Sequence, residues 1–133
     1  MRNTIEMLFG AGIQAAARSE WVKAGSSAAQ GGYDTYIDTA TIRGNGDTVK
    51  MWHLHDFKMT QESMGKAYLS SKNWVEYDLR NARRRTLYFS WNSGQMGAGD
   101  TVFRLDEPSA WRALVPGSVA EMLSKLASAG LHS

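Results

Sequence analysis

WRALVPGSVAEMLSKLA, residues 111–127, decides the fold. Pro116 and Gly117 stop the chain, and Ser118 then opens a helix with Glu121 three residues on. This is a capping-box pattern: the Ser118 hydroxyl accepts from the Glu121 amide, and the Glu121 carboxylate reaches back to the Ser118 amide. Val119, Met122, Leu123 and Leu126 fall at i, i+3, i+4 and i+7, so they share one helical face. Burying these side chains offers roughly 1.5–3 kcal/mol each as an upper figure, against about 1 kcal/mol for the cap. Burial therefore decides whether the helix docks, and the cap decides where it begins.

Working outward, the chain from Trp21 to Leu105 reads as strands and turns. Trp21 to Ala24 is a short strand, followed by a Ser/Gly/Ala loop to Gly32. Tyr33 to Asp38 alternates as a second strand, and Asp38 and Thr39 can cap a single helical turn after it. Gly44-Asn45-Gly46-Asp47 holds two turn dipeptides. Thr48 to Met59 is a long strand with large apolar groups on both faces, so it is central or bends across two surfaces. Met59 to Lys66 is polar, contains Gly65 and reads as a mobile loop. A fourth strand spans about Tyr68 to Asp78. A fifth, Arg85 to Asn92, sets Leu87, Phe89 and Trp91 on one side and Thr86, Tyr88 and Ser90 on the other. Thr101 to Leu105 is the sixth, and Pro108 prevents its continuation. The expected fold class is α+β: an antiparallel meander of about six strands with one C-terminal α-helix packed on one face.

Composition narrows the function classes. The 133 residues suffice for one core, and the 43% hydrophobic content excludes a disordered chain. A net charge of +2 is too small to call for nucleic acid. No apolar window is long enough to span a membrane. Cysteine is absent, which removes disulfides, thiolate nucleophiles and Cys-based metal sites. Residues 1–19 read as a tail or a degraded signal-like segment, with Arg2 before a broken apolar run and Ala15-Ala16-Ala17 as small residues. Residues 20–133 read as a single domain.

Few residues suggest chemistry. His53 and His55 share one side of a strand, a metal-like spacing, but no third ligand is signalled, and partly buried or surface histidines are the plainer reading. Gly94 to Gly99 lies between two strands, whereas a phosphate cradle lies before a helix, so tight-turn geometry explains it better. No Gly-x-Ser-x-Gly elbow appears, and Asp34, Asp38, Asp56 and Asp78 are scattered. No catalytic residue, cofactor or metal is assigned. Arg80, Arg83, Arg84 and Arg85 form the one basic cluster and are the candidate partner-binding residues. They can grip an acidic protein patch or polyanion, or serve as a solvated turn that protects a sheet edge.

One ordered series goes further. Trp21, Tyr36-Ile37-Asp38 with Thr41-Ile42, Val49 through Trp52, Tyr68-Leu69-Ser70-Ser71-Lys72, Glu76-Tyr77-Asp78, Met96-Gly97-Ala98-Gly99, Trp111 and Val115-Pro116-Gly117-Ser118 together resemble the bacterial surface-adhesin protein E family. The resemblance implies a curved antiparallel sheet with a C-terminal helix across it, and export to the periplasm or cell surface. It implies a non-enzymatic protein-binding or structural module, with a host or envelope protein or a second copy of the chain as partner. An anion- or ligand-binding domain using Arg80, Arg83, Arg84, Arg85 and the uncovered sheet face is the alternative. Relatives commonly carry a Cys directly after the Tyr-Asp pair and another at the helix end. Here these positions are Leu79 and about Ser128. A bridge there would close about 50 residues and contribute roughly 4 kcal/mol. Packing of Leu79 under the helix, against Leu126 or Ala127, is expected to offset its loss.

Overall fold

The computed structural model describes residues 21–130. The tail or signal-like segment read over residues 1–19 lies outside the described residues. The elements are β1 (Trp21–Ser27), β2 (Tyr33–Asp38), β3 (Arg43–Asn45), β4 (Thr48–Ser63), β5 (Lys66–Asp78), β6 (Arg83–Asn92), β7 (Thr101–Leu105), β8 (Arg112–Ala113) and α1 (Val119–Gly130). All pairings are antiparallel, in the order β1-β2-β4-β5-β6-β7, with β3 also on β4 and β8 also on β6.

Eight strands replace the expected six, yet they fill six lanes. β2 pairs Tyr33 to Ile37 with Phe57 to His53, and β3 pairs farther along the same edge of β4. Between them Asp38 caps one 3-10 turn, its Oδ1 accepting from the Ala40 amide at 3.1 Å. β7 and β8 likewise share one side of β6. The meander is as expected; two lanes are each broken once.

The segment expected as a mobile loop between Met59 and Lys66 is instead the end of a long hairpin. β4 continues through Ser63, and Gln61, Glu62 and Ser63 pair with Tyr68, Ala67 and Lys66. Met64 and Gly65 take φ of 52° and 73°, the positive values that a two-residue hairpin turn demands. Most side chains of this extension are exposed, so no apolar alternation marks it.

On the helix side of the sheet, Ile37, Val49, Met51, Val75 and Tyr77 pack with Leu123 and Ala127. The helix begins as the capping box requires, with the Glu121 amide donating to Ser118 Oγ at 3.1 Å. Its second half differs: the Glu121 carboxylate accepts from the Gly117 amide at 3.0 Å. The Ser118 amide is already committed to the Val115 carbonyl, at 3.0 Å.

The buried stripe of α1 is also corrected. Leu123 is buried and Met122 packs against the core, but Leu126 is 37% exposed while Ser124 and Ala127 are buried. The side chain of Val119 lies outside the described residues. The stripe is turned by about one residue, ~100°. Small side chains at 124 and 127 let the helix backbone approach the sheet. Ser124 satisfies its hydroxyl by donating to the Glu121 carbonyl at 2.6 Å. Gly25 of β1 leaves room for Met122, since a Cβ there would lie 3.0 Å from the Met122 methyl. Leu79 is half-buried against the cluster that contains Leu123 and Ala127. Leu126, its other expected neighbour, is more than a third exposed and lies outside that cluster.

Candidate functional site

The opposite face of the sheet carries the candidate surface. Directly opposed residues share a face, so Trp52, Trp74 and Tyr88 line up across β4, β5 and β6. The rings of Trp52 and Trp74 are 5.4 Å apart, and those of Trp52 and Tyr88 5.6 Å. All three are half-buried. Tyr88 reaches this row through a bulge. Val75 pairs with Thr86 and Trp74 with Tyr88, leaving Leu87 without a partner position. Thr86 therefore joins Phe89 and Trp91 on the helix side, and the simple alternation expected for this strand breaks at Leu87.

The arginine hairpin lies beside the row. Asp78 organises the turn: its Oδ1 accepts from the Asn81 amide at 3.1 Å, and its Oδ2 from Asn81 Nδ2 at 2.9 Å and Arg83 Nε at 2.8 Å. Hydrogen bonds from Asn81 and Arg83 hold its carboxyl down to about 2. Arg85 Nε donates to Glu76 Oε1 at 2.8 Å. The guanidiniums of Arg83 and Arg85 each sit 4.4 Å from the centre of the Trp111 ring. Trp111 thus bridges two arginines, each backed by a carboxylate.

The four candidate arginines do not act as one cluster. Arg83 and Arg85 meet at Trp111. Arg80 is highly exposed, 3.5 Å from Asp47 across an open turn. Arg84 alternates to the helix side, opposite Tyr77. The sequence reading assigned no site role to Trp111. The Ser109 amide donates to the Thr86 carbonyl and the Leu114 amide to the Ala82 carbonyl, which lays this segment along β6. That return of the chain after Pro108 has no short-range signature.

The glycine loop lies on this same face, over Leu54 and Lys72. Its amides are used within the protein: Gly97 donates to Ser70 Oγ at 2.8 Å, Met96 to Asp56 Oδ1 at 2.8 Å, and Ala98 to the Gln95 carbonyl at 3.0 Å. A phosphate would have to displace these bonds, so the turn reading stands. Gly97, at φ 77°, supplies the backbone freedom.

The histidines are structural groups of the sheet, one buried and one partly buried, as expected. His53 is buried and His55 half-buried, with ring centres 5.2 Å apart. Burial holds His53 well below the usual imidazole range and His55 at about 4, and the charge of Arg84 pushes both in the same direction. His55 Nδ1 is hydrogen-bonded with the Thr35 hydroxyl at 2.9 Å. Among the described residues no three His, Cys, Asp or Glu side chains group as a metal site.

Comparison with known proteins gives one family. The family model for surface-adhesin protein E matches residues 21–127. Three solved structures of Haemophilus influenzae protein E share the fold. One crystal form has a TM-score of 0.61 at 12% identity, covering 92% of this chain and 100% of that one. Another structure has 0.54 at 14%, covering 71% and 76%. Protein E from a non-typeable strain has 0.55 at 14%, covering 90% and 92%. No curated protein matches the sequence.

Proposed function

This chain belongs to the surface-adhesin protein E family, and on that premise we propose that it is a non-enzymatic protein-binding module. Its working surface is the sheet face opposite the helix. The observation that carries this reading is the half-buried row Trp52, Trp74 and Tyr88, bordered by Arg83 and Arg85 around Trp111. Aromatic and Arg side chains held in fixed positions are the groups that dominate protein interfaces. Burying them requires little ordering, because Arg83 and Arg85 are already fixed by carboxylates. The partner is a host or envelope protein, and export to the periplasm or cell surface belongs to the same proposal. Among the described residues no helix is long and apolar enough to cross a membrane.

The anion-binding alternative has less support, because Arg83 and Arg85 each hold a carboxylate at 2.8 Å and offer reduced net charge. A bead assay separates the readings. Beads coated with the protein are tested on host-cell matrix and on heparin, using the natural sequence, a Trp74→Ser/Tyr88→Ser variant and an Arg80→Gln/Arg83→Gln/Arg85→Gln variant. The protein-binding reading expects matrix adherence that the aromatic variant abolishes. Heparin binding lost only in the arginine variant favours the anion reading. Adherence unchanged by both variants overturns the assigned surface. Light scattering on the same samples tests a second copy as the occupant.

A further inference from the structure

The arginine hairpin is largely neutralised, since Arg83 and Arg85 each hold a carboxylate. The uncompensated positive charge of that sheet face stands elsewhere. The register sets Arg43 of β3 directly opposite Lys50 of β4, Lys50 opposite Glu76 of β5, and Glu76 opposite Arg85 of β6. Glu76 Oε1 accepts from Arg85 Nε at 2.8 Å, so this row holds three cations and one carboxylate that is already engaged. Arg43 Nη1 donates to the Ala40 and Ile42 carbonyls at 3.1 and 2.9 Å, which fixes the guanidinium without neutralising it. Among the described residues neither Arg43 nor Lys50 has an ion pair. Asp47 is held by Arg80, and Asp78 by Asn81 and Arg83. Residues 1–20 carry Arg2, Glu6, Arg18 and Glu20, which add no net charge.

Like charges directly opposite one another on a sheet oppose folding. Arg43 and Lys50 keep that arrangement at an exposed and a half-buried position. A carboxylate seated between them turns the repulsion into attraction, so the pair is suited to a partner that supplies one.

Position narrows the partner further. Lys50 lies two residues before Trp52 on β4, so the cation row runs beside the aromatic row Trp52, Trp74 and Tyr88 on the same face. Beyond the aromatic row, Lys72 and Arg104 stand on either side of Ser90 in a row with no acidic residue. Half-buried rings between two basic rows match a peptide whose apolar or aromatic side chain is flanked by carboxylates. A polyanionic chain would use the cations and leave the rings idle. We infer that this face receives an acidic segment of the partner protein, with a carboxylate between Arg43 and Lys50 and an aromatic or apolar side chain against Trp52 and Trp74. The inference rests on the reading of the aromatic row as the protein-binding surface; it adds the chemical class of the partner and the residues Arg43 and Lys50.

Fluorescence anisotropy of the full chain with three labelled peptides tests it: Asp-Glu-Trp-Glu-Asp, its neutral counterpart Asn-Gln-Trp-Gln-Asn, and Asp-Glu-Gly-Glu-Asp. At about 50 mM salt the first should bind about tenfold more tightly than either of the others, and it should lose its margin over the neutral peptide at about 500 mM. Lys50→Gln should weaken binding of the first about fivefold while leaving the melting temperature unchanged or raised, an outcome that a structural lysine would not give. Lys50→Arg should bind like the natural sequence, and so should Lys125→Gln, a change on the exposed helix surface. Equal affinity for the acidic and neutral peptides, or a Lys50→Gln variant that binds as well as the natural sequence, overturns the acidic partner. Heparin binding that depends on Lys50, without binding of the acidic peptide, overturns it in favour of a polyanion. Bead adherence to matrix separates the two levels. Adherence abolished by Trp74→Ser/Tyr88→Ser but kept by Arg43→Gln/Lys50→Gln removes the acidic segment and leaves the protein-binding surface standing; adherence kept by both variants removes both.

Discussion

Acidification is expected to destabilise this protein well before its carboxylates are involved, and the cause is the pair of buried and half-buried histidines, His53 and His55. His55 titrates at about 4 in the fold and near 6.5 when unfolded. Between those values the unfolded chain binds a proton that the native state excludes. Stability is therefore fully present above about pH 6.5, falls by about 1.4 kcal/mol for each pH unit below it, and stops falling near pH 4. Over that window His55 alone accounts for roughly 3 kcal/mol, a large share of the stability of a small domain. His53, held lower still by burial, shifts stability in the same direction. Urea unfolding followed by Trp fluorescence, at steps from about pH 7 to about pH 4.5, measures the slope. A His53→Gln/His55→Gln variant should be flatter over the same range. Asp78, held at about 2, does not contribute in this window. A midpoint that stays constant to about pH 4.5, or an unchanged slope in the double variant, would refute the reasoning.

Three further outcomes follow from the packing. Leu123→Ala should cost about 2–5 kcal/mol, whereas Leu126→Ala should cost only about 1 kcal/mol, in denaturant unfolding of the two variants. Leu79→Ser should lower the melting temperature by several degrees, since it removes about 1–3 kcal/mol of packing against the core that contains Leu123 and Ala127; a shift of a degree or less in calorimetry would leave Leu79 without that role. Asp78→Ala should reduce the loss of stability expected as pH falls from near 4 towards 2: the depressed carboxyl stabilises the fold above its unfolded value and loses that effect on protonation. Circular dichroism at acid pH checks it.

Much of the fold is legible in local chemistry. Ser118 and Glu121 announce the helix start, Asp38 announces its turn, and all six lanes follow from strand-like runs between turn residues. What escapes is set by longer-range geometry. Leu126 fits the helical period as well as Leu123, and only the close seating of Ser124 and Ala127 turns it outward. The bulge at Leu87 leaves no mark in composition, so Thr86 and Tyr88 look alike in sequence yet lie on opposite faces. The hairpin tip is held by backbone bonds between mostly exposed residues, which resemble a loop. At the candidate site the arginines are visible as a run. Their division among two faces and a turn depends on strand alternation, and Trp111 reaches them from a distant segment. His53 and His55 stand out by spacing, while their burial depends on neighbours in β2 and β5.

The most direct test is covalent footprinting of side chains, with and without bound partner. Trp52, Trp74, Tyr88 and Trp111 should be modified in the free protein and shielded in the complex, while Met51, Tyr77 and Leu123 stay unmodified in both. Labelling of Tyr77 or Met51 to the extent of Tyr88, or shielding confined to residues away from the Trp74 row, would contradict a sheet with one face closed by the helix and the other presented for binding.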